Sequence, residues 1–135
     1  PQFGKPAHRK SGSGVKCIYK GVFFRSLLEL SYFVNVIEKN SLEWESAESM
    51  AYAIPYEFDN RRRNYFADYV IGNVIYEIKP KALLKTKQNK AKFKAARIYC
   101  ESRGFEFQVV TEKDFEKISQ EQIDKFQDDG KLLLI

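Results

Sequence analysis

The sequence predicts an α/β fold with a mixed sheet, its elements in the order α-β-β-β-α-β behind a flexible basic N-terminal arm. Three observations carry that expectation. Apolar residues recur at helical spacing around residue 30, a two-residue turn joins two β-rich runs near the middle, and a lysine-rich helical stretch then leads into a further β-rich run.

The elements follow in chain order. Residues 1–20 read as the arm, because Gly4, Pro6, Gly12 and Gly14 interrupt any regular structure. Residues 21–135 are then a single domain, as a chain of 135 residues is too short for two ordinary ones. A helix is expected over 26–38, where Leu27, Leu30, Val34 and Ile37 share a face, with Asn40 and Ser41 ending it. Residues 42–45 and 50–55 are candidate strands. Residues 56–64 read as a polar loop, since they hold Asp59, Asn60 and three consecutive arginines. Residues 65–71 and 74–79 are rich in aromatic and β-branched side chains, and Gly72-Asn73 between them suits a II′ hairpin turn. A helix over 87–103, closed by Gly104, leads to a strand over 106–110 and two short helical stretches. Its expected core stripe is Ala91, Ala95, Ile98 and Tyr99. Leu132 to Ile135 form either a last core strand or a subunit contact, so a homodimer stays open.

Composition narrows the function classes. No apolar run approaches the ~20 residues of a membrane-spanning helix, and residues 1–20 are polar where a secretory signal would be apolar. An intracellular, non-secreted protein is expected. Cys17 and Cys100 are too far apart for a clustered zinc site and read as ordinary thiols. Charge is unevenly spread. The arm holds Lys5, Arg9, Lys10, Lys16 and Lys20 with no acid, leaving 18 basic and 18 acidic groups to cancel elsewhere. From Lys79 to Cys100 there are eight basic residues and no acidic one, and Arg61, Arg62 and Arg63 make a third cluster. Such clusters release counterions on meeting phosphates, so DNA is the natural partner. Lys10, Lys16, Arg61, Arg62, Arg63, Lys81, Lys85, Lys87 and Lys90 are the candidate backbone contacts.

The hairpin carries the chemical argument. With Gly72-Asn73 as the loop, opposed residues have numbers summing to 145, which sets Asp68 across from Glu77. Opposed Cβ atoms lie ~4.5–5.5 Å apart, where like charges repel. Lys79 shares a face with Glu77 and offsets part of that repulsion. A hard divalent cation between the carboxylates would offset the rest, and oxygen ligands suit Mg²⁺ better than zinc, with Mn²⁺ as its substitute. Two carboxylates, a cation and a neighbouring ammonium are the parts needed to hydrolyse a phosphodiester. The alternative is an amphipathic hairpin with solvent-facing acids. Glu29 is equally ambiguous, because Ser26-Leu27-Leu28-Glu29 fits a helix capping box. Glu43, Glu45 and Glu48 flank Trp44 where strand-edge alternation suffices, and His8 lies in the arm.

Residues 20–112 resemble the PD-(D/E)xK nuclease superfamily. The resemblance rests on Arg25-Ser26 through Glu29, Ile54-Pro55-Tyr56, Tyr65-Phe66-Ala67-Asp68 and Glu77-Ile78-Lys79-Pro80. These strings are most similar to the phage branch, which holds head-completion nucleases and a junction-resolving endonuclease, and they are also similar to the end-cleaving subunit of certain transposases. The resemblance implies a restriction-endonuclease-like fold and a Mg²⁺-dependent endonuclease, in the cytoplasm of a host cell if phage-encoded. It implies that Asp68 is the central metal ligand, Glu77 its companion, Glu29 an acidic contact to a second metal or its water, and Lys79 the catalytic lysine. Ala67 departs from the pattern, standing where the family usually has proline. Branched-DNA resolution, site-specific cleavage of the homing type, and a non-catalytic DNA-binding or packaging role remain as alternatives.

Overall fold

The computed structural model describes residues 14–135, so Lys10, His8 and most of the expected arm lie outside the described residues. Along the chain run strands β1 (Cys17–Tyr19) and β2 (Val22–Phe24), helix α1 (Leu27–Tyr32), which continues as a π-helical segment Phe33–Glu38, and strand β3 (Glu45–Ser46). Then come β4 (Ile54–Phe58), β5 (Arg61–Tyr65), β6 (Tyr69–Ile71), β7 (Val74–Ile78), α2 (Lys87–Ser102), β8 (Glu106–Val110), α3 (Gln120–Asp128) and β9 (Leu132–Leu134). The fold is α/β and restriction-endonuclease-like, and the expected order survives as α1, β3, β6, β7, α2 and β8. The described residues divide into two compact units, 14–40 with 115–135, and 41–114.

The first unit is built on an antiparallel sheet in the order β2-β1-β9. Lys20 (φ 49°) and Gly21 (φ 81°) both adopt left-handed backbone, the signature of a two-residue I′ turn between β1 and β2. Residues 17–20 are therefore no part of a coreless arm. Val15, Cys17 and Tyr19 alternate into the core, with Cys17 and Tyr19 at most 1% exposed. Lys16, Ile18 and Lys20 interleave with them and hide that period-two pattern in the sequence. The Tyr19 ring packs on Phe126 (5.0 Å between centroids) and edge-on to Phe33 (6.2 Å). Its hydroxyl donates to Glu38 Oε1 at 2.7 Å, and Lys20 Nζ reaches Glu38 Oε2 at 2.7 Å. Leu132 is buried and Leu133 exposed, so the C-terminal leucines form a sheet strand. Only one of the two short helical stretches expected after residue 110 forms, as α3.

The second unit holds the sheet β3-β6-β7-β8, in which β6 and β7 pair antiparallel and β7 and β8 parallel. Its core gathers Ile54, Tyr65, Val70, Ile75, Phe93, Ala96, Cys100 and Phe107. Residues 56–64 are a β-hairpin rather than a loop: Asp59 (φ 54°) and Asn60 (φ 58°) form another I′ turn, and Phe58 pairs with Arg61. Ile54 and Tyr56 face inward while Pro55 and Glu57 face out, an alternation that the polar residues around the turn obscure. Helix α2 starts at Thr86, whose side chain accepts from the Asn89 amide. It stops as expected at Gly104 (φ 81°), where the Phe105 amide reaches the Cys100 carbonyl (2.8 Å) and the Gly104 amide that of Glu101 (3.3 Å). That pair of bonds is a Schellman motif. The buried stripe of α2 is Asn89, Phe93, Ala96 and Cys100; Ala91, Ala95 and Tyr99 flank it, and Ile98 is 65% exposed. The large Phe93 ring, not the smaller alanines, sets which face is buried. Among the described residues, no helix is long and apolar enough to cross a membrane.

Candidate active site

The β6–β7 register is the one expected: Tyr69 opposes Tyr76, Val70 opposes Ile75 and Ile71 opposes Val74. Gly72 has φ 61°, and Asn73 is not among the positive-φ residues, which suits a II′ turn. The ladder ends one position short of Asp68. There the Asp68 amide donates to the Tyr76 carbonyl (3.0 Å), and the Asp68 carbonyl accepts from the Ala47 amide (3.1 Å). Its carboxylate Oδ2 accepts from the Ile78 amide at 2.7 Å, between Glu77 and Lys79 in the chain. Asp68 is thereby fixed at three atoms and only 7% exposed.

Glu77 is buried at the end of β7, and its Oε2 lies 3.3 Å from Lys79 Nζ. Strand alternation places these two side chains on one face, as the E-x-K spacing requires. The Lys79 amide donates to the Val110 carbonyl (2.9 Å), so parallel pairing with β8 carries the strand's direction past the lysine. Glu77 Oε1 is buried with no hydrogen-bond partner. Burial pushes the Glu77 carboxyl above its ordinary range, while the Lys79 ammonium, the neighbouring Tyr65 hydroxyl and, more weakly, Lys92 pull it back.

Three residues that sequence reasoning passed over stand here. Tyr65 is 4% exposed, and its hydroxyl has no hydrogen-bond partner among the described residues. Burial raises its pKa strongly, and the charges of Glu77 and, more weakly, Asp68 raise it further. Lys92 Nζ sits 5.4 Å from the centre of the Tyr65 ring. Glu48 offers a carboxylate oxygen within 4.8 Å of one on Asp68. Its signal is non-local: β3 pairs with β6, Ser46 opposite Tyr69, and that register delivers Glu48 beside Asp68.

The structure thus brings Asp68, Glu77 and Lys79 to one end of the β6–β7 ladder. Glu29 belongs to the other compact unit, on the first turn of α1. Its amide donates to Ser26 Oγ (3.2 Å), while its Oε1 accepts from the Arg25 amide (3.3 Å), one residue before the cap that a capping box would engage. Arg61 and Arg62 are exposed on β5, whereas Arg63 is half-buried, donates to the Phe58 carbonyl (3.4 Å) and lies 5.8 Å from the Phe58 ring centre. Lys81, Lys85, Lys87, Lys90 and Lys16 are exposed.

A mixed sheet that ends in a fixed aspartate and an E-x-K strand, followed by a basic helix, defines a nuclease of the PD-(D/E)xK type. The family described as TnsA-like endonuclease N terminal matches residues 38–112, more than half of the chain. This chain belongs to that family. Comparisons with curated proteins and with solved structures gave no match. Nucleases of this type generally use divalent metals, and the donor set fits one: the nearby groups are hard carboxylates, and Glu77 Oε1 is a buried acceptor without a donor.

Proposed function

We propose that this chain is a Mg²⁺-dependent DNA endonuclease in which Asp68 and Glu77 hold the cation, Lys79 serves the scissile phosphate and Glu29 contributes a further acidic contact. The observation that carries this reading is the buried Glu77, paired through Oε2 with Lys79 at 3.3 Å and left with an unpartnered Oε1. Removing a carboxylate from water is costly unless it is paired or binds a metal, and one half-shielded ammonium compensates only in part. A bound Mg²⁺, or Mn²⁺ in its place, would supply activation of water and neutralisation of charge at the phosphate.

The protein's own groups have distinct tasks. Asp68 is held rigid by the Ile78 amide, so its carboxylate keeps its aim without help from solvent. Lys79 is 22% exposed, which leaves its ammonium accessible to a phosphate oxygen while it neutralises Glu77. Glu48 is proposed as an additional acidic contributor beside Asp68. The Glu29 assignment rests on the resemblance. Arg61, Arg62, Lys16, Lys81, Lys85, Lys87 and Lys90 are proposed to grip the DNA backbone without reading its sequence, so binding weakens steeply with salt. Among the branches that the sequence resembles, the TnsA-like match favours the transposase-type nuclease over phage head completion or junction resolution.

The test uses supercoiled, linear and four-way-junction DNA, each with Mg²⁺ and with chelator, for the wild type, Lys79→Ala and Asp68→Ala. Cleavage is expected with Mg²⁺ only, and neither variant should cut while both stay folded. Cleavage that survives chelation or either substitution would place the chemistry elsewhere. Equal cutting of all three substrates would argue against junction specificity.

A further inference from the structure

Two buried polar atoms in the second unit have no hydrogen-bond partner among the described residues: the Tyr65 hydroxyl and Glu77 Oε1. They belong to neighbouring side chains, since the phenol and the carboxylate each shift the other's pKa, but in the metal-free protein the two groups stand beyond hydrogen-bond distance of each other. A buried hydroxyl left without a partner destabilises the fold, so packing alone favours phenylalanine at this position. The ring itself is well served by apolar contacts, with Phe93 at 6.4 Å and Phe107 at 6.2 Å between centroids. The hydroxyl is the part that packing does not explain. Lys92 stands over the same ring at 5.4 Å, and its charge also reaches Glu77.

We infer that Tyr65 is a positioning residue for Glu77: its hydroxyl donates to the carboxylate when Glu77 turns to hold a divalent cation, and Lys92 steadies the ring that carries it. This inference rests on the proposal that Asp68 and Glu77 bind the metal. A donor behind a metal-binding carboxylate fixes its orientation, and loss of such an outer partner typically lowers metal affinity about 10–100-fold. The chemistry also explains why the hydroxyl is retained at a cost to the metal-free protein. Stability without metal and affinity for metal should therefore respond to its removal in opposite senses.

The experiment is calorimetric titration of Mn²⁺ into the full chain without DNA, together with thermal melting of the metal-free protein, for the wild type, Tyr65→Phe, Glu77→Gln, the double variant and Asp68→Asn. Tyr65→Phe is expected to melt at or above the wild-type temperature and to bind Mn²⁺ at least about tenfold more weakly. The double variant should bind no more weakly than Glu77→Gln alone, because Tyr65 acts through Glu77. Unchanged Mn²⁺ affinity in Tyr65→Phe, or additive losses in the double variant, would overturn the inference. A lowered melting temperature with unchanged affinity would assign the hydroxyl to folding alone, which also overturns it. If Asp68→Asn keeps wild-type affinity, the metal site itself is misassigned and the inference falls with it.

Discussion

Replacing Lys79 by methionine keeps the volume of the aliphatic stem and removes the charge 3.3 Å from Glu77 Oε2. Breaking a fully buried ion pair at one partner costs about 3–5 kcal/mol, because the other charge is left uncompensated. Here the lysine side chain is 22% exposed and the glutamate 6%, so solvent screens part of the interaction from one side only. Glu77 can also escape by taking up a proton, which caps the loss. A destabilisation of about 2 kcal/mol near pH 8 follows, or roughly 6–10 °C in melting temperature. The pH dependence has a definite sign. The Glu77 carboxyl is raised above its unfolded value, so its contribution to stability is intact below the unfolded pKa and is lost as pH rises through the folded one. Without Lys79 the folded pKa rises further, and the gap between wild type and variant should widen from pH 5 to pH 8. Urea titrations of the metal-free proteins across that range measure the gap directly. A gap that is constant with pH, or that narrows, would refute the claim that Lys79 compensates a buried Glu77.

Three further outcomes can be checked. Arg61→Ala and Arg62→Ala should each weaken DNA binding and lower the salt slope by about one, whereas Arg63→Ala should mainly destabilise β5, as read by binding titrations at several salt concentrations and by melting. Gly104→Ala should cost about 1–2 kcal/mol in urea titration, because Gly104 holds φ 81° at the end of α2, and a neutral result would show that the Schellman motif is dispensable. Cys17 and Cys100 are buried, and burial pushes the Cys17 thiol up to about 12, so neither should react with a disulfide reagent at pH 8 until urea unfolds the chain.

Local patterns were legible in the sequence; non-local neighbours were not. The II′ turn at Gly72, the β6–β7 register and the stop at Gly104 each depend on a few adjacent residues whose backbone preferences are strong. The E-x-K face follows from strand alternation and needs no other part of the chain. The hairpin at residues 54–65 was missed because Asp59-Asn60 and the arginines look like a loop when their inward-facing partners Ile54 and Tyr56 are read separately. Cys17–Tyr19 was missed because a three-residue strand in basic, glycine-rich surroundings is completed on its second edge by Leu132–Leu134, far along the chain. The same reason hid Glu48, Tyr65 and Lys92. Each arrives at the site through strand pairing or helix packing between distant segments, and no short-range spacing encodes that.

The pairing of β1 with β9 joins residues 17–19 to 132–134, so the first unit is assembled from segments that bracket the second. Loop-closure entropy makes such a long-range pairing slow to form, whereas residues 41–114 can collapse on contacts within one continuous stretch. On a ribosome the β1 edge must therefore wait, unpaired, until the β9 residues emerge. Pulsed hydrogen exchange during refolding should find amides of β7 and α2 protected before those of β9, and the reverse order would show that the bracketing segments nucleate the chain.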